Sequence, residues 1–247
     1  MNVSTNPAVE SVSAFFPCYN DELSIARMVM TVHETLADLG IAHDVTVVDD
    51  ASSDGSLQVL RNLALEVSEL QIVEHSTNRG YGGALMSGLA SARKQWVFYT
   101  DGDAQYDPRE IEQLIALATD DVDVVQGYKL RRSDSLKRKV IGRVYHHTVA
   151  LMFGLKLRDV DCDFRLMRRE VLDTVVLNNS SGVICVELMR KLQDANARIV
   201  QTPVSHLPRP HGRSQFFQTR RVARSLYDLV VLWLTLVVIP KARRTRA

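Results

Sequence analysis

The first half of the chain alternates between short runs rich in β-branched and aromatic residues and longer segments with helical spacing. The apolar runs lie at residues 12–16, 43–49, 70–75, 95–100 and 121–127. Segments with helical spacing separate them, at residues 22–39, 55–67, 80–93 and 108–117. Strand–helix alternation with short connections predicts an α/β fold, with a mostly parallel, doubly wound central sheet and helices on both faces.

The second half has fewer clean strand patterns. It predicts a helix at about residues 135–153, a short strand at 164–168, a helix at 183–195 and a strand at 198–206. No internal repeat and no low-complexity linker interrupts the chain. We therefore expect one domain over residues 1–217, followed by a C-terminal helical tail over residues 218–247.

The tail combines apolar and basic residues. From Leu229 to Ile239 only Thr235 is not apolar, and lysine and arginine flank the run on both sides. A helix that spans a bilayer needs about 20 apolar residues, so this run is too short by itself. Its composition is typical of a helix that lies in a membrane interface or docks on a hydrophobic partner. The alternative is an ordinary core helix.

The first four predicted strands each lead into a polar or glycine-rich stretch. In such sheets the ligand binds at the carboxyl ends of the strands, so the sequence predicts a site along one edge of the sheet. The four stretches are PCYNDE (17–22), DDASSDGS (49–56), STNRGYGG (76–83) and TDGDAQYD (100–107).

The pair Asp101 and Asp103, separated by one glycine, allows three interpretations. A calcium loop of the EF-hand type is rejected, because Tyr106 occupies the position that requires glycine and Pro108 interrupts the loop. A plain turn is the second interpretation, since Asp-Gly favours one. The third is a site for a divalent cation that also binds a nucleoside diphosphate, because Mg²⁺ and Mn²⁺ prefer oxygen ligands from carboxylates and phosphates.

The other strand ends favour the third interpretation. Asp49 and Asp50 can accept hydrogen bonds from ribose hydroxyls or a base N–H, and the glycines at 80, 82 and 83 allow a ligand to approach the backbone closely. These glycines do not form GxGxxG, and no GxxxxGK[ST] motif is present. The dehydrogenase and P-loop classes are therefore excluded.

The four stretches, in this order and spacing, resemble the nucleotide-sugar half of the inverting glycosyltransferases of family 2, which have the GT-A fold. Two later stretches, LRDVDCDFRLMRREV (157–171) and HLPRPHGRSQF (206–216), are similar to the branch that transfers a hexose to a polyprenyl phosphate, such as the dolichyl-phosphate mannose synthases. The resemblance covers about residues 12–217.

The resemblance implies a role for each matching residue. Asp101 would lie near the ribose and the diphosphate, and Asp103 and Gln105 would bind Mg²⁺ or Mn²⁺. A loop of the pattern R-x-x-G-x-S would close over the donor phosphates, with Arg209, Gly212, Ser214 and Gln215. The nucleoside of a UDP- or GDP-linked sugar would be held by Pro17, Tyr19, Glu22 and Asp50.

Two positions depart from the family pattern. Gln215 stands where lysine is common, which removes one positive charge from the phosphate loop. Asp163 replaces the more usual glycine before the FRL sequence, so the local turn is not predicted by the resemblance.

The charge of the chain is divided between its halves. Residues 1–126 contain 20 acidic and 6 basic side chains, whereas residues 127–247 contain 9 acidic and 24 basic ones. A phosphomonoester is already largely ionised at pH 7, so it needs attraction and positioning more than a strong base. Guanidinium groups supply both. The candidates for an acceptor-phosphate clamp are Arg131, Arg132, Arg138 and Arg165.

We therefore expect a metal-dependent hexosyltransferase in which Asp103, Arg165 and either Asp159 or Asp161 act in catalysis. Asp159 or Asp161 would orient the acceptor or take its residual proton, and local ion pairing is the alternative role for both. A soluble family member that glycosylates a hydroxyl is one rival function, and a silent subunit that docks a membrane partner is another.

Features outside the site indicate the compartment. The three cysteines form no CxxC pair, which favours a reducing environment, and the N-terminus has no signal-peptide pattern. We expect a cytoplasmic protein at the inner face of the plasma membrane, with a membrane surface or membrane protein as partner and no nucleic-acid partner.

Overall fold

The structure, a computed structural model, describes residues 8–132, 136–209 and 219–239, with side chains described except at 131–132, 136–140 and 219–222. Seven strands and eight α-helices are present in this part of the chain. In order they are β1 (Ser11–Cys18), α1 (Ile25–Asp38), β2 (Ala42–Asp49), α2 (Ser56–Leu63), β3 (Leu70–Glu74), α3 (Gly80–Ser91), β4 (Trp96–Thr100), α4 (Ile111–Leu117), β5 (Val124–Arg132), α5 (Leu136–Phe153), β6 (Phe164–Arg168), α6 (Arg169–Asp173), α7 (Ile184–Asp194), β7 (Ile199–His206) and α8 (Thr219–Trp233).

Two shorter helical turns complete these elements. A 3₁₀ turn over Pro108–Glu110 leads directly into α4, and its first residue is a proline, which needs no N–H there. A π-helical turn over Leu234–Val238 continues α8.

The strands form a single sheet in the order β3-β2-β1-β4-β6-β5-β7. β6 runs antiparallel to both β4 and β5, and the other neighbouring strands are parallel. The predicted mostly parallel sheet is confirmed. Because β6 is reversed, its first residue lies at the same edge as the last residues of the other strands.

Helices cover both faces of the sheet, as predicted. Successive residues of β1 alternate between two hydrophobic cores: Phe16 belongs to the first core, which includes residues of α1 and α4, and Phe15 belongs to the second core, which includes residues of α3 and α7. A strand that is covered on both faces has apolar residues at successive positions, which explains the continuous apolar runs in the sequence.

The helix α3 lies very close to the sheet. A Cβ atom at Gly88 would be 2.1 Å from the ring of Phe15, so only glycine fits at this point of the helix. The close contact brings the N-terminus of α3, with its glycine-rich start, to the edge where the strands end.

Several element bounds differ from the predictions, and the differences in β5 and α1 have a clear physical reason. β5 was predicted at residues 121–127 but begins at Val124 and continues to Arg132, because its pairing with β7 extends beyond Gly127. The first helix begins at Ile25 rather than at residue 22, because the carbonyl of Asp21 accepts the N–H groups of Ser24 and Ile25 in a preceding turn.

The C-terminal helix has two different faces. One face is buried against the second core through Leu229, Leu232 and Val237, and the Trp233 indole donates to the carbonyl of Met152 in α5 at 2.8 Å. The other face exposes apolar side chains, including Leu226, Tyr227, Val230, Val231, Leu234 and Ile239. In the part of the chain that the structure describes, no helix is long and apolar enough to cross a membrane. The predicted boundary at residue 217 lies outside the described residues and stays a prediction.

Candidate functional site

The carboxyl ends of β1, β2 and β4 meet at one edge of the sheet. The segment after β4 lies close to the end of β1. A Cβ atom added at Gly102 would be only 3.1 Å from the carbonyl oxygen of Pro17. Ser24 donates to the carbonyl of Gly102 at 2.8 Å. These contacts fix the two aspartates that flank Gly102 relative to the first strand.

The loops after β1 and β2 are bound to each other. Asn20, in the left-handed conformation with φ 59°, donates its N–H to the Ser52 hydroxyl and accepts from Ser53 N. The carboxylate of Glu22 accepts from Gly55 N at 3.0 Å. Glu22 is exposed and Tyr19 is half-buried, so both side chains are accessible at this edge of the sheet.

Asp50 is held by the protein itself. Its carboxylate accepts from Arg79 N and Gly80 N at the start of α3, at 2.7 and 2.9 Å, and contacts His75 Nδ1 at 2.7 Å. The other ring nitrogen of His75 contacts the Ser87 hydroxyl at 2.8 Å. Asp50 therefore joins the end of β2 to the start of α3, and its contact with a nucleoside stays a prediction.

Asp101 and Asp103 follow β4 directly and have different partners. Asp101 accepts from the Tyr81 hydroxyl at 3.0 Å. Asp103 is buried, accepts from Gln105 N at 3.0 Å, and forms an ion pair with Arg209. Burial and the nearby negative charges of Asp163 and Asp103 raise the pKa of Asp101 well above its ordinary value.

Gln105 links the site to the segment after β7. Its carbonyl accepts from Leu207 N at 2.8 Å, and its side-chain amide donates to the Leu207 carbonyl at 3.3 Å. This contact brings Arg209 to the carboxylates. Ser214 and Gln215, predicted to close over the phosphates, lie outside the described residues, as does Gly212.

Arg165 lies in the interior and not at the surface. Its guanidinium is fully buried and donates to Gln126 Oε1 at 2.5 Å, to the carbonyl of Val160 at 2.9 Å, to Asp163 at 2.8 Å and to the Tyr99 hydroxyl. The expectation that Arg165 contacts an acceptor phosphate is corrected, because a guanidinium with no exposed surface and four protein acceptors does not reach a phosphate. Its position favours a positioning role.

Lys129 is a basic residue of the site that the sequence analysis did not select. Its ammonium donates to the carbonyl of Asp161 at 2.6 Å, and its charge partly offsets the effect of burial, which raises the pKa of both Asp101 and Asp163. Asp159 is buried and accepts from Asp161 N at 3.1 Å, which forms a tight turn before β6. Lys129 thus holds, through the Asp161 carbonyl, the turn that carries the two candidate acceptor carboxylates.

The side chains of Arg131, Arg132 and Arg138 lie outside what the structure describes. Their backbone positions are at the end of β5 and in the first turn of α5. Since Lys129 precedes Arg131 on the same strand, these arginines continue the basic segment away from the carboxylates. Their role as a phosphate clamp stays a prediction.

Sequence reasoning missed Tyr81 and Asp163 as site residues for different reasons. Tyr81 stood within the glycine-rich stretch, where attention fell on the glycines. Asp163 was noted only as a departure from a family pattern. The reversed direction of β6 pairs Thr100 with Phe164 and puts Asp163 beside Asp101, but a five-residue apolar run gives no signal of strand direction.

The donor atoms at this edge fit a divalent cation that shares its coordination with a ligand. Among the described residues, no three His, Cys, Asp or Glu side chains form a complete ligand set. The Asp103 carboxylate is paired with Arg209 in this structure, and its charge, after burial and the charge of Asp163, contributes to the raised pKa of Asp101, so the two carboxylates lie near each other. Mg²⁺ is commonly held by one or two carboxylates, with substrate phosphates supplying further oxygens.

Comparison with known proteins agrees with this arrangement. The model of the family described as Glycosyl transferase family 2 matches residues 13–176. Two relatives are undecaprenyl-phosphate 4-deoxy-4-formamido-L-arabinose transferases. The one from Klebsiella pneumoniae is 29% identical over 228 residues, covering 92% of this chain and 68% of its own length. The one from Aeromonas hydrophila is 29% identical over 231 residues, covering 93% and 70%.

Solved structures share the fold at low sequence identity. Glucosyl-3-phosphoglycerate synthase from Mycobacterium tuberculosis, in complex with Mg²⁺ and UDP, has a TM-score of 0.68 and 18% identity, over 94% of this chain and 80% of that one. A mannosyltransferase from Pyrobaculum calidifontis, in complex with GDP-Man and Mn²⁺, has a TM-score of 0.63 and 22% identity, over 88% and 62%. Both support the GT-A architecture of the sheet and its helices.

Proposed function

This chain belongs to glycosyl transferase family 2, and on that basis we propose that it transfers a sugar from a nucleoside diphosphate sugar to a polyprenyl phosphate at a membrane surface. The observation that carries the proposal is the set of carboxylates after β4, with Arg209 and Lys129 beside them, at the sheet edge where α/β proteins bind ligands. The relatives named for transfer to undecaprenyl phosphate support the acceptor class.

The donor would lie across the loops that follow β1, β2 and β4. Glu22 is exposed and Tyr19 is half-buried at this edge, and Asp50 keeps the start of α3 in place beside them. Asp103 would hold Mg²⁺ or Mn²⁺, with Gln105 as the predicted second ligand. Such a cation supplies charge neutralisation for the departing nucleoside diphosphate.

Arg209 would change partners when the donor binds. In the structure its guanidinium neutralises Asp103. A diphosphate brings its own negative charge, and a guanidinium binds phosphate oxygens with two parallel hydrogen bonds. We assign Arg209 to the donor phosphates, together with Ser214 and Gln215 of the same segment.

The acceptor would approach from the side of β5 and β6. An oxygen of the lipid phosphate attacks the anomeric carbon, and the bond from that carbon to the diphosphate breaks, so that the electron pair leaves with the nucleoside diphosphate and the configuration inverts. Lys129 attracts the incoming phosphate and, through the Asp161 carbonyl, fixes the turn that carries Asp159 and Asp161. Either carboxylate would orient the acceptor or take its residual proton.

The basic residues Arg131, Arg132 and Arg138 would extend this attraction toward anionic headgroups, which lie at the same surface as a lipid phosphate. The exposed apolar face of α8 would enter the membrane interface, and the buried face of α8 would keep it attached to the domain. We place the protein at the cytoplasmic face of the plasma membrane.

A panel of UDP- and GDP-linked sugars, incubated with undecaprenyl phosphate and Mg²⁺ or Mn²⁺, tests the proposal. The expected product is a glycosylated lipid phosphate, read by its mass. Undecaprenol, the alcohol without the phosphate, is the matched control and is expected to remain unmodified. Transfer to the alcohol, or to a soluble hydroxyl acceptor with none to the phosphate, would replace the proposal with the rival function of a family 2 enzyme that acts on hydroxyls.

A further inference from the structure

Helix α5 carries a row of exposed apolar side chains outside the site. Ile141, Val144 and Leu151 each have more than half of their surface exposed. Their spacing of three and seven residues places them on one side of an α-helix. The opposite side is buried in the second core through Val149 and Phe153. α5 therefore has apolar residues on both sides, and the domain covers only one of them.

The row on α5 lies beside the exposed apolar face of α8. The Trp233 indole donates to the carbonyl of Met152, the residue that follows Leu151. Leu234, which follows Trp233, is also exposed, and the π-helical turn that it begins contacts α5. The two exposed apolar rows therefore approach each other at this contact.

Both helices are basic in sequence. α8 and its π-helical turn, over residues 219–239, contain three arginines and a single carboxylate, that of Asp228, which pairs with Arg224 at 3.0 Å. α5 contains no aspartate or glutamate and has four basic residues, Lys137, Arg138, Lys139 and Arg143. The two helices therefore carry a large excess of positive charge together with their exposed apolar rows.

Apolar side chains combined with an excess of positive charge fit an anionic lipid bilayer. The apolar side chains enter the boundary between headgroups and acyl chains, and the basic residues are attracted to the headgroups. A second copy of this chain fits less well, because pairing the same face with itself places like charges against each other.

We propose that α5 and α8 together form one membrane-contact surface, in which Ile141, Val144 and Leu151 of α5 enter an anionic bilayer. This inference adds α5 to the membrane contact proposed for α8, and it does not depend on the transfer reaction.

α5 also connects this surface to the acceptor side of the site. The backbone N–H of Val160 donates to Nδ1 of His146 in α5 at 3.4 Å. Val160 lies between Asp159 and Asp161, in the turn that Lys129 holds. A bilayer that binds α5 thus keeps this turn near the lipid surface, and the use of that position to receive a lipid phosphate rests on the proposed function.

Co-sedimentation of the full chain with vesicles of phosphatidylglycerol or of phosphatidylcholine tests the proposal. Wild type is expected to bind the anionic vesicles about tenfold or more tightly than the neutral ones. The double variant Val144→Ser and Leu151→Ser is expected to bind the anionic vesicles about tenfold more weakly, because two apolar side chains no longer enter the interface.

The matched control is the double variant Val176→Ser and Leu65→Ser. These residues are 71% and 87% exposed, against 61% and 86% for Val144 and Leu151, and they lie outside α5 and α8. The control is expected to bind as wild type does. All four positions are exposed, so both variants are expected to fold. If the α5 variant does not, Ile141→Ser takes its place, with an expected loss of a few-fold.

Three results would overturn the proposal. The first is equal binding of wild type and the α5 variant to anionic vesicles, and the second is equal binding of wild type to the two lipids. The third is the absence of vesicle binding by wild type. Sedimentation velocity without lipid then identifies the occupant. A dimer that the α5 variant dissociates would assign the face to a second copy, and a monomer would assign it to a different protein partner.

A water-soluble, short-chain prenyl phosphate separates this inference from the proposed function. In the absence of vesicles, the α5 variant is expected to transfer sugar to it as wild type does, because Val144 and Leu151 lie outside the site. If wild type binds vesicles but modifies no prenyl phosphate, the proposed function fails and the membrane-contact surface stands. If wild type modifies the short acceptor but binds no vesicles, the inference fails alone.

Discussion

The guanidinium of Arg209 forms an ion pair with the carboxylate of Asp103, although the two residues are 106 positions apart in the chain. Asp103 is 8% exposed and Arg209 is 29% exposed, so the pair is partly accessible to solvent at the edge of the sheet. The contact brings the segment after β7 to the residue that would bind the cation. Arg209 and a divalent cation bound there would therefore compete for the same carboxylate.

This competition predicts the behaviour of Arg209→Ala. Without nucleotide, the variant is expected to bind Mn²⁺ a few-fold more tightly than wild type, because Asp103 has lost its internal partner. Its affinity for the nucleotide sugar is expected to fall about tenfold, since a charge-assisted contact to phosphate is lost. Calorimetry with and without nucleotide measures both, and Arg209→Lys provides the matched variant that keeps the charge. Identical Mn²⁺ affinity in wild type and Arg209→Ala would show that the ion pair does not compete with a cation.

Asp103→Asn tests the cation site directly. The amide keeps the acceptor for Gln105 N but removes the negative charge, so the fold is expected to persist. Transfer activity is expected to fall by about 100-fold or more, because charge stabilisation of the leaving group is among the largest contributions to such catalysis. Activity assays over a range of Mg²⁺ and Mn²⁺ concentrations measure the loss. The control is Asp120→Asn at an exposed position, and equal activity of the two variants would remove Asp103 from the cation site.

Arg165→Met is expected to lower the free energy of unfolding by about 3–5 kcal/mol, because it leaves buried acceptors, including the Asp163 carboxylate, without their cation. Urea denaturation measures the change. Arg158→Met is the matched control, since Arg158 is exposed and donates to the Tyr128 hydroxyl. Unchanged stability, together with a raised KM for the lipid phosphate, would instead support the expectation from the sequence that Arg165 contacts the acceptor phosphate directly.

Asp21 gives the folded protein a pH dependence with a definite sign. Burial, with a smaller contribution from the charge of Asp103, raises the pKa of Asp21 from 3.8 to about 6. Between these two values the folded state binds more protons than the unfolded state, so the contribution of Asp21 to stability falls as the pH rises through this window. The penalty is absent below pH 3.8 and complete above about pH 6.

Asp21→Asn is therefore expected to gain stability relative to wild type as the pH is raised from about 5 to 7.5. Urea denaturation at the two pH values measures the difference, with Asp120→Asn as the exposed control. A difference between Asp21→Asn and wild type that is the same at both pH values would contradict the raised pKa.

The exposed face of α8 predicts binding to lipid vesicles. The double variant Val230→Ser and Leu234→Ser is expected to reduce co-sedimentation with vesicles rich in phosphatidylglycerol by about tenfold, because it removes apolar surface that the interface would bury. Leu65→Ser is the matched control, since Leu65 is an exposed leucine elsewhere, with 87% of its surface accessible. Equal sedimentation of all three proteins would show that this face does not enter the membrane.

The alternation of strands and helices was predictable because it is local. Periodicity of 2 or 3.6 residues is fixed by neighbours in the chain, and the β6 strand at residues 164–168 was predicted with the same bounds that the structure has. The sequence also predicted that the polar strand ends lie at one edge, since the carboxyl ends of parallel strands meet at the same edge of a sheet. The sequence by itself thus determined the α/β class and the edge at which the polar strand ends meet, and it predicted Asp101 and Asp103 as candidate site residues there.

Tertiary structure decided which distant residues meet at that edge. The insertion of β6 between β4 and β5, in the reverse direction, puts Asp163 beside Asp101 and buries Arg165 beneath them. The contact of Leu207 with Gln105 delivers Arg209 to Asp103, and the packing of one face of α8 leaves its other apolar face exposed. These relationships depend on strand order and on helix docking, which are set by the burial of whole faces and not by the residues adjacent in the chain.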